Sequence, residues 1–203
     1  MASKMTGLFK TLAWTDFKGA QPTSNPHNMA AASMPGISVA GASTVSIGTG
    51  ASMSWQLADT ITVAVTWDLK SWALPSVAGM PKADQDELLK HEQGHYNLVA
   101  LLARDMFIEM MQLKGARLSS SLLVAQEVQA IHTRYANLSQ PLQDLYDSKS
   151  ETDHGKNKPK QSAWEGYINT AFTQVRTPAQ SAPDGTTYKV ELLPLLRQNG
   201  LKI

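Results

Sequence analysis

The chain contains no cysteine. Disulfides and thiolate metal sites are therefore excluded, and any bound metal must rest on His, Asp, Glu or water. A surplus of charge is missing too: 18 Lys and Arg face 17 Asp and Glu, a net charge of +1. No general attraction to nucleic acid or to an anionic membrane surface is expected from that balance. No apolar run approaches the ~18 residues of a membrane-spanning helix, so no membrane partner is expected. The opening stretch MASKMTGLFKTLAW (1–14) lacks the apolar centre of a signal peptide. Lack of cysteine suits any redox compartment, so localisation stays unassigned.

What is present fits one globular domain of 203 residues, with 42% hydrophobic and 17% charged side chains. The first half is rich in Ser, Thr, Ala and Gly. Its clearest strand is ITVAVTW (61–67), where Ile61, Val63, Val65 and Trp67 alternate with smaller residues. ISVAG (37–41) and TVSIG (44–48) are weaker strands, and QPTSNPHNMAAASMPG (21–36) reads as loop. The second half reads as helical. Pro81 and the acids Asp84, Asp86 and Glu87 mark a helix start, with Gly115 as its stop near Leu113. A second helix is expected over 117–138, with Leu118, Leu122, Ala125, Val128, Ile131, Tyr135 and Leu138 as its apolar stripe. A polar loop YDSKSETDHGKNKPKQS (146–162), a short helix at 164–172 and a strand TYKVELL (187–193) complete the chain. The fold class is α+β, with a mixed sheet before the first long helix and a helical part after it.

Inside that first helix stands HEQGH (91–95). A helix turns about 100° per residue, so His91 and His95 lie about 40° apart and can face one metal ion. Glu92 falls about 60° from His95, on the flank of that face, better placed to touch a metal-bound water than to be a ligand. This is the mechanical content of the H-E-x-x-H motif: zinc lowers the pKa of its water and the neighbouring carboxylate takes the proton. Leu88, Leu98, Val99, Leu102 and Met106 share the histidine side, while Lys90, Gln93, Asn97, Ala100 and Arg104 are expected opposite. Gly94 weakens the helix by about 1 kcal/mol relative to Ala. A glycine is sensible there if another chain segment or a substrate approaches closely.

Catalytic zinc takes three protein ligands and leaves a position open. Glu109 shares the face of His91 but lies about 27 Å along the helix, out of reach of the same ion. Glu127 and His132 on the second helix face the site only if that helix packs antiparallel to the first; both read more naturally as surface or boundary residues. His154, on composition alone, belongs to a solvated lysine-rich connection.

HEQGH followed by Tyr96 and an apolar helix resembles the zincin-type metallopeptidases. LAWTDFKGAQP (12–22), SWALPS (71–76), LLKHEQGHYN (88–97), YDSKSETDHG (146–155) and QSAWEGYI (161–168) together resemble a narrower group, a bacterial family of uncharacterised proteins described as predicted secreted zinc-dependent proteases. The resemblance covers about residues 12–170. It implies a zincin-like fold, export from the cell, and His154 as the third zinc ligand, with Gly155 letting the backbone bend around the ion. Tyr146 matches a recurring tyrosine, either an oxyanion donor or a packing residue at a helix end. Gln161 is implied to orient a ligand from behind. Trp164 is implied to be core, and Trp14, Asp16 and Phe17 structural.

The expected function is hydrolysis of a peptide or protein by one zinc ion per chain, held by His91, His95 and His154, with Glu92 activating the zinc-bound water. The domain spans 1–175, with 176–203 a tail packed on it. Strand 61–67 is the expected edge along which an extended substrate adds. The alternative keeps fold and metal but acts as a binding module, the polar loop 147–162 contacting a partner.

Overall fold

The computed structural model describes residues 3–25, 29–173 and 191–203. Among the described residues, seven short strands precede four α-helices: β1 Lys4–Thr6, β2 Ala31–Ala32, β3 Pro35–Ala40, β4 Thr44–Ile47, β5 Ser54–Leu57, β6 Thr62–Trp67, β7 Trp72–Ala73, α1 Lys82–Gln112, α2 Ser121–Asp147, α3 Lys158–Thr173 and α4 Leu192–Gln198. The architecture is α+β, as the sequence pattern indicates.

The alternation in 61–67 does form a strand, with Val63 and Val65 buried against α1. Its place differs from expectation. In the main sheet β6 is the central strand, parallel to β1 and antiparallel to β3. Its backbone is paired with β3 along its whole length and with β1 over residues 62–64, so it is not the free edge strand expected. The segment 21–36, expected as loop, contains β2 and the start of β3. β2 pairs antiparallel with β7 in a separate two-stranded ribbon, and β4 pairs with β5 in another.

α1 is the central element. From Leu98 to Ile108 every residue is buried, because the sheet, α2, α3 and α4 all pack around it. Ala100 and Arg104, on the side opposite the histidines, are also buried. Arg104 is tolerated there because its donors are used: Nε bonds Asp105 Oδ1 at 2.9 Å and Nη1 bonds the Ala171 carbonyl at 2.6 Å. The Leu192 amide donates to the other Asp105 oxygen at 2.8 Å. Burial pushes the Asp105 carboxyl up to about 6, with Arg104 opposing. This ion pair ties the end of α3 and the start of α4 to α1, and Leu192 and Leu196 complete a cluster with Leu98, Leu101 and Trp164. The expected strand at 187–193 is thus corrected at its end, where Leu192 begins α4; residues 187–190 lie outside the described residues.

α2 starts later and ends later than expected. Ser120 caps it, accepting from the Leu123 amide at 3.2 Å. Leu118 lies before the helix and pairs with Trp55 through the backbone, and Leu122 is exposed. The buried stripe is Val124, Val128, Ile131, Leu142 and Tyr146. Pro141 removes one helical hydrogen bond, but burial of Leu142 and Tyr146 beyond it carries the helix on to Asp147. α3 begins at Lys158, six residues before the expected short helix. The polar stretch between α2 and α3 is accordingly only 148–157.

Candidate metal centre

α2 runs with its C-terminal end beside the first half of α1, and this brings Asp147 to HEQGH. Asp147 Oδ1 lies 3.0 Å from His91 Nε2 and 3.0 Å from His95 Nε2. The three ligand atoms lie within 4.8 Å of one another. Two ~2.0–2.1 Å bonds to one tetrahedral ion would set ligand atoms ~3.3 Å apart, so the spacing is close to that of a shared ion. Both histidines are buried. His95 Nδ1 is a buried polar atom without a hydrogen-bond partner among the described residues. His91, His95 and Asp147 could hold a metal ion, and two imidazoles with a carboxylate suit zinc and neighbouring divalent ions.

His154, expected as the third ligand, stands one contact further out. Its Nδ1 is 3.3 Å from Asp147 Oδ2, the carboxylate oxygen turned away from the His pair. The turn after α2 delivers it there. The amides of Thr152 and His154 bond back to the carbonyls of Tyr146 and Asp147 at 3.1 and 3.3 Å, closing the helix end. Asp153, His154 and Gly155 all take positive φ, 47°, 52° and 79°. Two consecutive non-glycine residues in this region are costly, of order 1–3 kcal/mol each. Gly155 is required, because a Cβ there would lie 3.1 Å from the His91 side chain. Glu127 and His132 do not reach the site. They precede Asp147 on α2 by about 30 and 22 Å along the axis. Glu109 binds Arg134 and Tyr135 instead.

Charge follows the geometry. Burial alone would raise the Asp147 carboxyl, but its contacts with His91 and His95 win and hold it far below the usual carboxylate range. For His95, burial works against the charged ring, and the hydrogen bond and charge of Asp147 outweigh it, raising its pKa.

Behind His91 is a packed polar shell. The Tyr146 ring stacks on the imidazole, centroids 4.8 Å apart and planes within 9°. Tyr146 is fully buried. Its hydroxyl lies 3.3 Å from the His91 carbonyl and accepts from Gln161 Nε2 at 2.8 Å. It is turned away from the cleft, so the oxyanion-donor reading of Tyr146 gives way to the packing one. Gln161 Oε1 lies 3.1 Å from His91 Nδ1, the position expected of a residue that orients the ligand. Gly94 has its explanation here: an added Cβ would lie 2.1 Å from the Tyr146 hydroxyl. Gly94→Ala is expected to destabilise the protein by about 1–3 kcal/mol through overpacking, despite the better helix propensity of Ala. A chemical denaturation curve measures it, and an unchanged or higher stability would contradict the packing described.

Glu92 is buried on the wall of the same cleft, a space of about 1310 Å³. Its Oε2 accepts from the Ser33 amide at 2.8 Å and from the Ser33 hydroxyl at 2.7 Å. Ser33 follows β2 and carries no motif, so nothing in the residue pattern marks it. Asp147 was within reach of sequence reasoning: it follows Tyr146 in YDSKSETDHG, and continuing the α2 stripe to Tyr146 places it at the helix end.

Comparison with protein-family models, with curated proteins and with solved structures gives no match for this chain.

Proposed function

We propose that the chain is a zinc-dependent metallopeptidase, with His91, His95 and Asp147 holding the ion. The observation that carries this reading is Glu92, a carboxylate fixed by two donors from Ser33 on the same cleft as the metal-ligand group. A purely structural site has no use for such a base, and would have four protein ligands. Zinc held there supplies a Lewis acid for the substrate carbonyl and acidifies water.

The chain's own residues do the rest. Ser33 holds Glu92 Oε2, leaving Oε1 for water. Glu92 accepts a proton from the water as its oxygen attacks the peptide carbonyl, and passes that proton to the departing amine as the C–N bond breaks. The substrate edge moves from β6 to β2. Residues 30 and 32 direct their backbone groups to β7, so the amide and carbonyl of Ala31 point the other way, along the cleft that Ala31 lines. An extended peptide adds there through main-chain hydrogen bonds. Met29, Met34, Met80 and Leu88 give that side of the cleft an apolar wall.

The binding-module alternative gains no support from the turn 148–157, whose backbone is spent on closing α2 and placing His154. The test is metal content by plasma mass spectrometry on protein purified without a histidine tag, beside hydrolysis of a quenched fluorescent casein. One zinc per chain and cleavage stopped by a chelator are expected. No metal after zinc loading and dialysis overturns the reading. Bound iron without proteolysis points instead to the oxygen chemistry that two histidines and a carboxylate also support.

A further inference from the structure

His91 Nε2 can serve a metal only if its lone pair, not a proton, faces Asp147. Which nitrogen carries the proton is set by what Nδ1 meets, and Nδ1 meets the Gln161 amide at 3.1 Å. An amide can present either its oxygen or its nitrogen. With oxygen forward, Nδ1 carries the proton and Nε2 is bare. With nitrogen forward, Nδ1 is bare, and Nε2 carries a proton that closes onto Asp147 Oδ1, 3.0 Å away. The orientation of one buried amide therefore separates a metal-ready His91 from one satisfied without metal.

Two further residues decide it. Gln161 Nε2 lies 3.1 Å from Glu165 Oε1 and 2.8 Å from the Tyr146 oxygen. Both amide hydrogens are thereby placed, and the Tyr146 hydroxyl has two acceptors for its own proton, Gln161 Oε1 at 3.1 Å and the His91 carbonyl at 3.3 Å. A carboxylate only accepts, so the reversed amide would set oxygen against oxygen at Glu165. Lys90 Nζ, 2.6 Å from Glu165 Oε2, holds the carboxylate in place. We propose that Glu165, anchored by Lys90, is a positioning residue that locks the Gln161 amide and so fixes His91 in its metal-binding tautomer. The proposal rests on His91 being a metal ligand, as argued above. It assigns a role to a partly exposed pair on α1 and α3 that touches neither metal nor substrate.

The test exchanges the two functional groups. Glu165→Gln offers Gln161 a partner that both donates and accepts, so the lock is lost. Gln161→Glu combined with Glu165→Gln restores it in reverse: the carboxylate now at position 161 accepts from His91 Nδ1, and the amide now at position 165 supplies the donor. Zinc affinity is read by competition with a chromophoric chelator. The His91 tautomer is read in metal-free protein from its ring ¹⁵N shifts. Glu165→Gln should weaken zinc by about 10–100-fold and shift His91 away from the Nδ1–H form, and the double variant should restore both. An affinity within about twofold of the parent for Glu165→Gln, or a double variant no better than the single, overturns the proposal. Should Glu165→Gln fail to fold, the double variant alone decides by the same two readings. If the parent itself binds no zinc, the metal centre fails, while an Nδ1–H tautomer lost in Glu165→Gln would still establish the lock.

Discussion

Asp147→Ala is expected to abolish zinc binding at micromolar metal, while His154→Ala keeps the ion with roughly tenfold weaker affinity. The two outcomes separate the proposed His91, His95 and Asp147 set from the three-histidine set that the sequence suggests. Asp147 Oδ1 is the atom equidistant from both imidazoles, 3.0 Å from each, whereas His154 meets that carboxylate at its other oxygen. Three-ligand zinc binding is worth on the order of 10 kcal/mol or more, so losing one ligand removes about a third, on the order of 10³ in affinity. Losing His154 frees the Asp147 carboxylate to rotate but leaves every ligand in place. Titration with a fluorescent zinc indicator measures both variants. Zinc kept by Asp147→Ala and lost by His154→Ala would return His154 to the first position.

Glu92→Gln should lower turnover by about 10²–10⁴-fold with zinc stoichiometry and KM close to the parent. The substitution is nearly isosteric, and an amide oxygen still accepts from the Ser33 amide and hydroxyl. What it lacks is the capacity to take a proton. Burst-free initial rates on the fluorescent casein, normalised to metal content, read the effect. Residual activity within threefold of the parent would remove Glu92 from the chemistry, and zinc lost from the variant would show that Glu92 serves the ion directly.

Much of this site could be read from the residues. The i, i+4 spacing put His91 and His95 on one face, and Glu92 beside them, because a helix fixes those angles whatever packs around it. Gly94 betrayed a close approach, since a glycine in an otherwise strong helix needs a reason outside the helix, and Tyr146 supplies it. Asp147, the third member of the candidate ligand group, lies outside the HEQGH motif, and its place depends on how far α2 runs. Asp147 became available only because α2 runs on past Pro141, held by the burial of Leu142 and Tyr146. The place of β6 in its sheet was equally illegible: alternation reports one buried face, not whether a neighbour lies on each side, and here β1 and β3 do. The burial of Arg104, opposite the histidines on α1, was not legible from the helix pattern. Asp105 is beside it on α1, but the Ala171 carbonyl and the Leu192 amide that complete the arrangement arrive only when α3 and α4 dock.

One contact joins two tasks. Glu92, the base in the function proposed above, is held by Ser33, two residues along the backbone from Ala31. The strand that would grip a substrate and the peg that aims the base are one piece of chain. On the proposed function, a ligand that drags this strand by about a few tenths of an ångström would swing the carboxylate with it, so a poorly seated peptide would spoil its own hydrolysis. Discrimination among substrates then resides in alignment as much as in affinity. A small molecule wedged behind β2, far from any ligand atom, would silence the centre without touching the ion.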